Sequence, residues 1–147
     1  MKLLDANLLI ALAWPTHLHH KCATAWFEKN YQHGWATCSI TEMAFVRISS
    51  NPKIFASAPN PRAAVGMLES IHAIPGHRFW EESPSISRNP FLPHLVGHQQ
   101  VTDAQLLHIA AAHEGQLVSF DRGIERLIPK TMDLKALLQI LVLDAPT

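Results

Sequence analysis

The sequence predicts an α/β fold, a single domain spanning 1–147 in which a parallel β-sheet is flanked by helices on both faces. Short apolar runs of strand-compatible residues alternate along the chain with segments whose apolar residues recur at helical spacing. The strand-like runs are nearly continuous in apolar character, as expected of strands covered on both sides. No internal repeat and no Pro/Gly/Ser-rich linker divides the 147 residues, a length that suits one domain with its own core.

Leu3-Leu4 reads as a buried strand that turns at Asp5-Ala6-Asn7 into a helix over Leu8 to Ala13. Pro15-Thr16 marks a break and a candidate N-cap. After it Ala23, Trp26, Phe27 and Asn30 keep helical spacing up to about Gly34. Trp35 to Cys38 is the next strand, followed by a helix capped by Ser39 or Thr41 and carrying Met43, Val46 and Arg47. Asn51-Pro52 closes it, and a loop with one helical turn at Ile54 to Ser57 leads to Pro59-Asn60-Pro61. A helix from Arg62 to Ala73 places Ala64, Met67, Leu68 and Ile71 on one side. Pro75-Gly76 ends it before a strand at His77 to Trp80. Residues 81–100, dense in Pro, Ser, Asn and His, read as loop with one weak helix. Asp103 opens the broadest apolar helix, which ends at Gly115. Gln116 to Phe120 is a strand, Asp121-Arg122-Gly123 a turn, and Ile140 to Leu143 a last strand.

Composition removes several classes. With 48% hydrophobic and 16% charged residues the chain is not disordered, and no apolar run approaches the ~20 residues of a membrane span. Met1-Lys2-Leu3-Leu4-Asp5 meets an acid too early for a secretory signal, so a cytoplasmic address is expected. Cys22 and Cys38 lack metal or disulfide spacing and are expected as buried free thiols. Twelve Lys+Arg balance twelve Asp+Glu, so any polyanion must be met by a local patch; Arg62, Arg78, Arg88, Arg122, Arg126 and Lys130 are the candidates.

Functional groups of open α/β sheets gather beyond the carboxyl ends of the strands. Four acids have that address: Asp5 after the first strand, Glu42 in the first turn after the second, Asp103 at the start of the long helix and Asp121 after the strand at 117–120. Singly, Asp103, Glu42 and Asp121 are also explained as helix-start or turn acids. Asp5 resists that explanation, because it interrupts an apolar strand-to-helix crossing and its burial is costly unless compensated. Converging carboxylates repel by about 4 kcal/mol per pair at 4 Å and an effective dielectric near 20, so the group must take up protons or a cation. Oxygen donors of this kind select Mg²⁺ or Mn²⁺ over zinc, and such a centre suits phosphodiester hydrolysis by activated water.

Leu-Leu-Asp5-Ala-Asn7, Thr41-Glu42, Thr102-Asp103-Ala-Gln-Leu and Ser119-Phe-Asp121-Arg-Gly123 resemble, in order, the motif series of PIN-domain ribonucleases of the VapC toxin type. The resemblance spans Lys2 to about Gly123. It implies a PIN-like fold and a Mg²⁺-dependent endoribonuclease, with Mn²⁺ as the alternative ion. It also implies a toxin of a bacterial toxin–antitoxin pair, acting on RNA, dimeric, and restrained by a small antitoxin whose segment covers the acidic cleft. Carried onto this chain, it makes Asp5, Glu42, Asp103 and Asp121 the catalytic acids, Asp5, Asp103 and Asp121 the metal contacts, and Glu42 a group acting through water. Asn7 is then either a ligand-orienting amide or a helix N-cap, Thr102 a cap or supporting hydroxyl, and Ser119 a supporting hydroxyl. Arg47 and Arg122 either reach phosphate or are solvated or carboxylate-paired.

Two other readings stay open at this stage. Asp5 also suits a phosphatase nucleophile, although Asn7 stands where a second Asp would support that chemistry. The acidic pocket also suits a non-catalytic module that binds a basic peptide. His17, His19 and His20 lie close together without a recognised zinc spacing. The aromatic residues Trp14, Trp26, Trp35, Trp80, Phe27, Phe79 and Phe91 are expected to serve the core more than base stacking.

Overall fold

Leu3 and Leu4 are both fully buried, yet they belong to two different hydrophobic clusters, one on each face of the strand they share with Lys2. Alternating side chains that are both buried require cover on both faces of the sheet. In the computed structural model, which describes residues 1–81 and 83–142, this strand is β1 (Lys2–Leu4). It lies at the centre of an all-parallel sheet of order β3-β2-β1-β4-β5, with β2 at Trp35–Cys38, β3 at His77–Trp80, β4 at Gln116–Ser119 and β5 at Leu138–Ile140. Leu3 aligns with Ala36 of β2 and Leu117 of β4, and Leu4 with Val118. Val118 repeats the alternation of β1: it packs with Leu4, and Leu117 packs with Leu3.

The helices supply the two covers. Helices α1 (Ala6–Ala13), α2 (His20–Asn30), α3 (Ser39–Ser49) and α4 (Pro61–His72) contribute to the cluster around Leu4, Phe45 and Trp35. The other face is covered by α5 (Val101–Ala112), by the loop around Phe91 and by the short α6 (Leu134–Leu137). Trp14, Trp35, Trp80, Phe27 and Phe91 are buried in these layers, whereas Trp26 is half-buried and Phe79 exposed. Each fully buried Leu, Ile or Phe contributes on the order of 1.5–3 kcal/mol, so this two-sided burial is the main source of stability.

Several boundaries differ from the expected ones for local reasons. Helix α2 starts at His20, not after Thr16, because turns close between His17 N–H and the Trp14 carbonyl and between His20 N–H and the His17 carbonyl. Cys38, not Ser39 or Thr41, is the N-cap of α3. Thr41 acts from inside the first turn, its Oγ1 accepting the Cys38 N–H at 3.1 Å. Asn60 caps α4 by accepting the Ala63 N–H at 2.8 Å, with Pro61 as its first residue. Among its described residues the loop 81–100 holds three short 3₁₀ turns instead of one weak helix. Buried Asn89 ties it to α5 by donating to the Ala104 carbonyl at 2.8 Å and to Gln105 Oε1 at 3.2 Å. The last strand begins two residues earlier than its apolar run, since its pairing follows β4 from Leu117 to Ser119; Leu143 lies outside the described residues. Cys38 is buried and free, but Cys22 is only half-buried. No helix among the described residues is long and apolar enough to cross a membrane.

The turn between α4 and β3 is rigidly specified. Gly76 has φ +93°, and a Cβ there would lie 2.5 Å from the Tyr31 carbonyl oxygen. Gly76→Ala is therefore expected to destabilise the protein by about 1–3 kcal/mol, through left-handed strain and the backbone clash together. Urea unfolding checks this, and an unchanged midpoint contradicts it.

Candidate active site

The parallel sheet sends β1, β2 and β4 out along one edge, and the segments that leave them carry Asp5, Glu42 and Asp121. Asp103 arrives separately, in the first turn of α5. Asp5 follows Leu4 directly and is the N-cap of α1, its Oδ1 accepting the Ala6 N–H at 2.7 Å. Asp121 follows the end of β4 and caps the next 3₁₀ turn, its Oδ1 accepting the Gly123 N–H at 2.8 Å. Capping thus accounts for Asp121 as expected and, contrary to expectation, for Asp5 as well, and it does not exhaust either residue.

Asp5 is only 8% exposed, and a hydroxyl is built in to hold it. Fully buried Ser119 donates to Asp5 Oδ2 at 2.7 Å, while its oxygen accepts from Asn7 Nδ2 at 3.0 Å and from the Asp121 N–H at 3.1 Å. Asn7 Oδ1 in turn accepts the Phe120 N–H at 3.4 Å. Asn7 is therefore a clasp between α1 and the end of β4, not an N-cap. Thr102 is exposed inside the first turn of α5, whose N-cap is Gln100, so it is not the cap either. Ser119→Ala removes the hydroxyl proton directed at the buried Asp5 carboxylate. A loss of about 1–3 kcal/mol in thermal unfolding is expected, and a cost near zero contradicts this role.

The three aspartates share one electrostatic field. Burial pushes the Asp103 carboxyl up to about 7, with the charges of Asp5 and then Asp121 adding to the effect. Burial also raises Asp5, opposed by its hydrogen bonds from Ser119 and Ala6 and reinforced by Asp121. Carboxylates that disfavour one another's ionisation bring hard oxygen donors from three chain segments into one field, a chemistry that suits a divalent cation such as Mg²⁺ or Mn²⁺.

Glu42 is engaged differently. Thr37 Oγ1 donates to its Oε2 at 2.6 Å, and His72 Nε2 lies 3.0 Å from the same oxygen. Thr37 Oγ1 is also 2.8 Å from His77 Nε2, and the rings of His72 and His77 stack at 4.1 Å. Burial first, and the neighbouring His72 second, push His77 down to about 4. The sequence reading did not single out Thr37, His72 or His77. Their available signal was a pair of histidines on either side of Pro75-Gly76, where a helix end meets a strand start. Arg47 and Arg122 are both exposed. Arg47 lines a groove of about 540 Å³ between α3 and α4, together with Glu42, Met43, Val46, Val65 and Leu68.

The fold is thus an all-parallel α/β sheet whose central strands β1 and β4 run out into Asp5 and Asp121. The chain belongs to the PIN domain family, whose model matches residues 2–128. It is 45% identical over 134 residues to ribonuclease VapC38 of Mycobacterium tuberculosis, covering 89% of this chain and 94% of that one. It is 39% identical over 132 residues to ribonuclease VapC39 of the same species, covering 83% and 89%. The fold is also similar to a solved structure of VapBC2 from Rickettsia felis bound to a DNA fragment from their promoter. That match has a TM-score of 0.60 and 12% identity, and covers 95% of this chain and 97% of that one.

Proposed function

We propose that this chain, acting as one nuclease domain over 1–147, is the ribonuclease toxin of a toxin–antitoxin pair. In this reading it hydrolyses RNA phosphodiester bonds through Asp5, Glu42, Asp103 and Asp121. The observation that carries the reading is the raised carboxyl of Asp103, held up by burial and by Asp5 and Asp121 together. The similarity to VapC ribonucleases supports the reaction class. Asp5, Asp103 and Asp121 would hold a Mg²⁺ ion, or Mn²⁺ in its place. When bound, that ion supplies a more acidic water and neutralises charge on the phosphate. Ser119 orients the Asp5 carboxylate by its hydrogen bond and opposes the burial that disfavours its charge. Glu42 Oε2 accepts the Thr37 hydroxyl and lies 3.0 Å from His72 Nε2, which leaves Oε1 to orient water or take its proton.

The apolar groove beside Glu42, with Met43 and Val65 exposed, suits the segment of a small antitoxin lying over the cleft. A cytoplasmic location and a homodimer belong to the same proposal; light scattering of the purified chain checks the dimer. Asn7 stands where a second Asp would serve a phosphatase, which argues against Asp5 as a phosphatase nucleophile.

The purified chain, freed of any partner, is expected to cleave structured RNAs with Mg²⁺ or Mn²⁺ and to stop when EDTA removes the ion. Cleavage that persists in EDTA, or in Asp5→Asn, overturns the proposal.

A further inference from the structure

We propose that Glu42, His72 and His77 form a second metal site, one that takes a borderline transition-metal ion of the zinc class and is distinct from the aspartate pocket. One donor atom from each of the three residues lies within 4.8 Å of the others. They come from three elements locked against one another: Glu42 from the first turn of α3, His72 from the last residue of α4 and His77 from the first residue of β3. The tight turn at Gly76, together with Trp35 Nε1 donating to the Pro75 carbonyl at 3.2 Å, fixes the approach of the two histidines.

His72 Nε2 faces the Glu42 carboxylate without being satisfied by it. It is buried and 3.0 Å from Glu42 Oε2, yet it makes no hydrogen bond among the described residues. Thr37 Oγ1 donates to the carboxylate and contacts the second imidazole, as an outer partner that orients metal ligands does. The rings of His72 and His77 now stack with 11° between their planes, so ligation tilts them until their lone pairs converge. The side chain of His72 is 26% exposed, which leaves room for that tilt.

Donor chemistry separates the two sites. Two imidazoles and one carboxylate, with a fourth position open to water, are a zinc-type set, whereas three carboxylates favour Mg²⁺. In the other histidine cluster His17 Nδ1 accepts the His19 N–H and His20 Nδ1 contacts the Ala11 carbonyl; His19 Nδ1 is unsatisfied, but among the described residues no three donor atoms there come within ligating range of one another. Binding at Glu42 would also draw one carboxylate away from RNA chemistry. That consequence rests on the nuclease reading; the metal site does not.

The test is calorimetric titration of Zn²⁺ into tag-free, chelator-stripped protein, with excess Mg²⁺ present throughout. One equivalent of zinc is expected to bind. The affinity should fall by about 10-fold or more in His72→Gln and in Glu42→Gln, and hold in Asp103→Asn and His17→Ala. Co²⁺ substituted for zinc should give visible absorption bands in the wild type that fade in His72→Gln. Zinc binding that survives both His72→Gln and Glu42→Gln, or that vanishes in Asp103→Asn, overturns the proposal, as does the absence of stoichiometric binding. RNA cleavage enters none of these readouts, so a protein that binds zinc here but leaves RNA intact defeats the nuclease reading alone.

Discussion

Replacing Asp103 by Asn is expected to lower RNA cleavage by about 100-fold or more while making the metal-free protein more stable at neutral pH. The two effects share one cause. Burial and the charges of Asp5 and Asp121 hold the Asp103 carboxyl up near 7, so its ionised form is unfavourable until a cation arrives. The amide of Asn removes that repulsion but gives a poor ligand for a hard ion. Losing even an outer partner of a metal ligand costs about 10- to 100-fold, so losing a ligand itself should cost at least the upper figure. The gain in stability should be roughly 1 kcal/mol once solvent screening of a part-exposed side chain is allowed for, or a rise of a few degrees in Tm. Cleavage assays and melting curves on the same preparations check both. A variant that is both inactive and less stable would reduce Asp103 to a packing residue.

The second large effect is a coupling between pH, metal and stability. The ordinary carboxyl value for Asp103 is 3.8, and its folded value is about 7. Between those values the folded chain keeps a proton that the unfolded chain has released. The stability contributed by that proton is therefore full below about pH 4 and is lost as pH rises through about 7. Asp5 is shifted in the same direction and adds to the trend. The Tm of the metal-free wild type, measured relative to Asp103→Asn to cancel the other titrating groups, should thus fall between pH 5 and pH 8. Mg²⁺ requires the ionised carboxylates, so it should raise Tm strongly at pH 8 and little at pH 5. A Tm gain from Mg²⁺ that is equal at both values contradicts the shared acidic field.

Much of this fold is legible in the residues, because burial on both faces of a parallel sheet leaves near-continuous apolar runs. Leu3-Leu4, Trp35 to Cys38 and Gln116 to Ser119 were recognisable for that reason. The misplaced boundaries are those decided by partners distant in sequence. β5 takes its register from β4, which no apolar run encodes, and α2 waits for turns built by His17 and His20. Asp5 and Asp121 stand out in the sequence because an acid where a buried strand ends is conspicuous, whereas Asp103 lies in the first turn of a helix.

The company of Glu42 was not legible. His72 and His77 are unremarkable in a chain with ten histidines, and only the packing of α3 on α4 and of β2 on β3 brings them to Glu42 and Thr37. Ser119 lay between the two conditions: its position was noticeable, but its three hydrogen bonds, which join Asp5, Asn7 and Asp121, depend on β1 and β4 being neighbours.

The account turns on Asp5, Asp103 and Asp121 forming one cation-binding pocket, and Mn²⁺ titration followed by electron paramagnetic resonance tests this most directly. Wild-type protein at pH 8 should bind Mn²⁺ competitively with Mg²⁺, and Asp5→Asn, Asp103→Asn and Asp121→Asn should each lose that binding while remaining folded. Undiminished Mn²⁺ binding in any two of the three variants would show that these carboxylates do not act on a common ion.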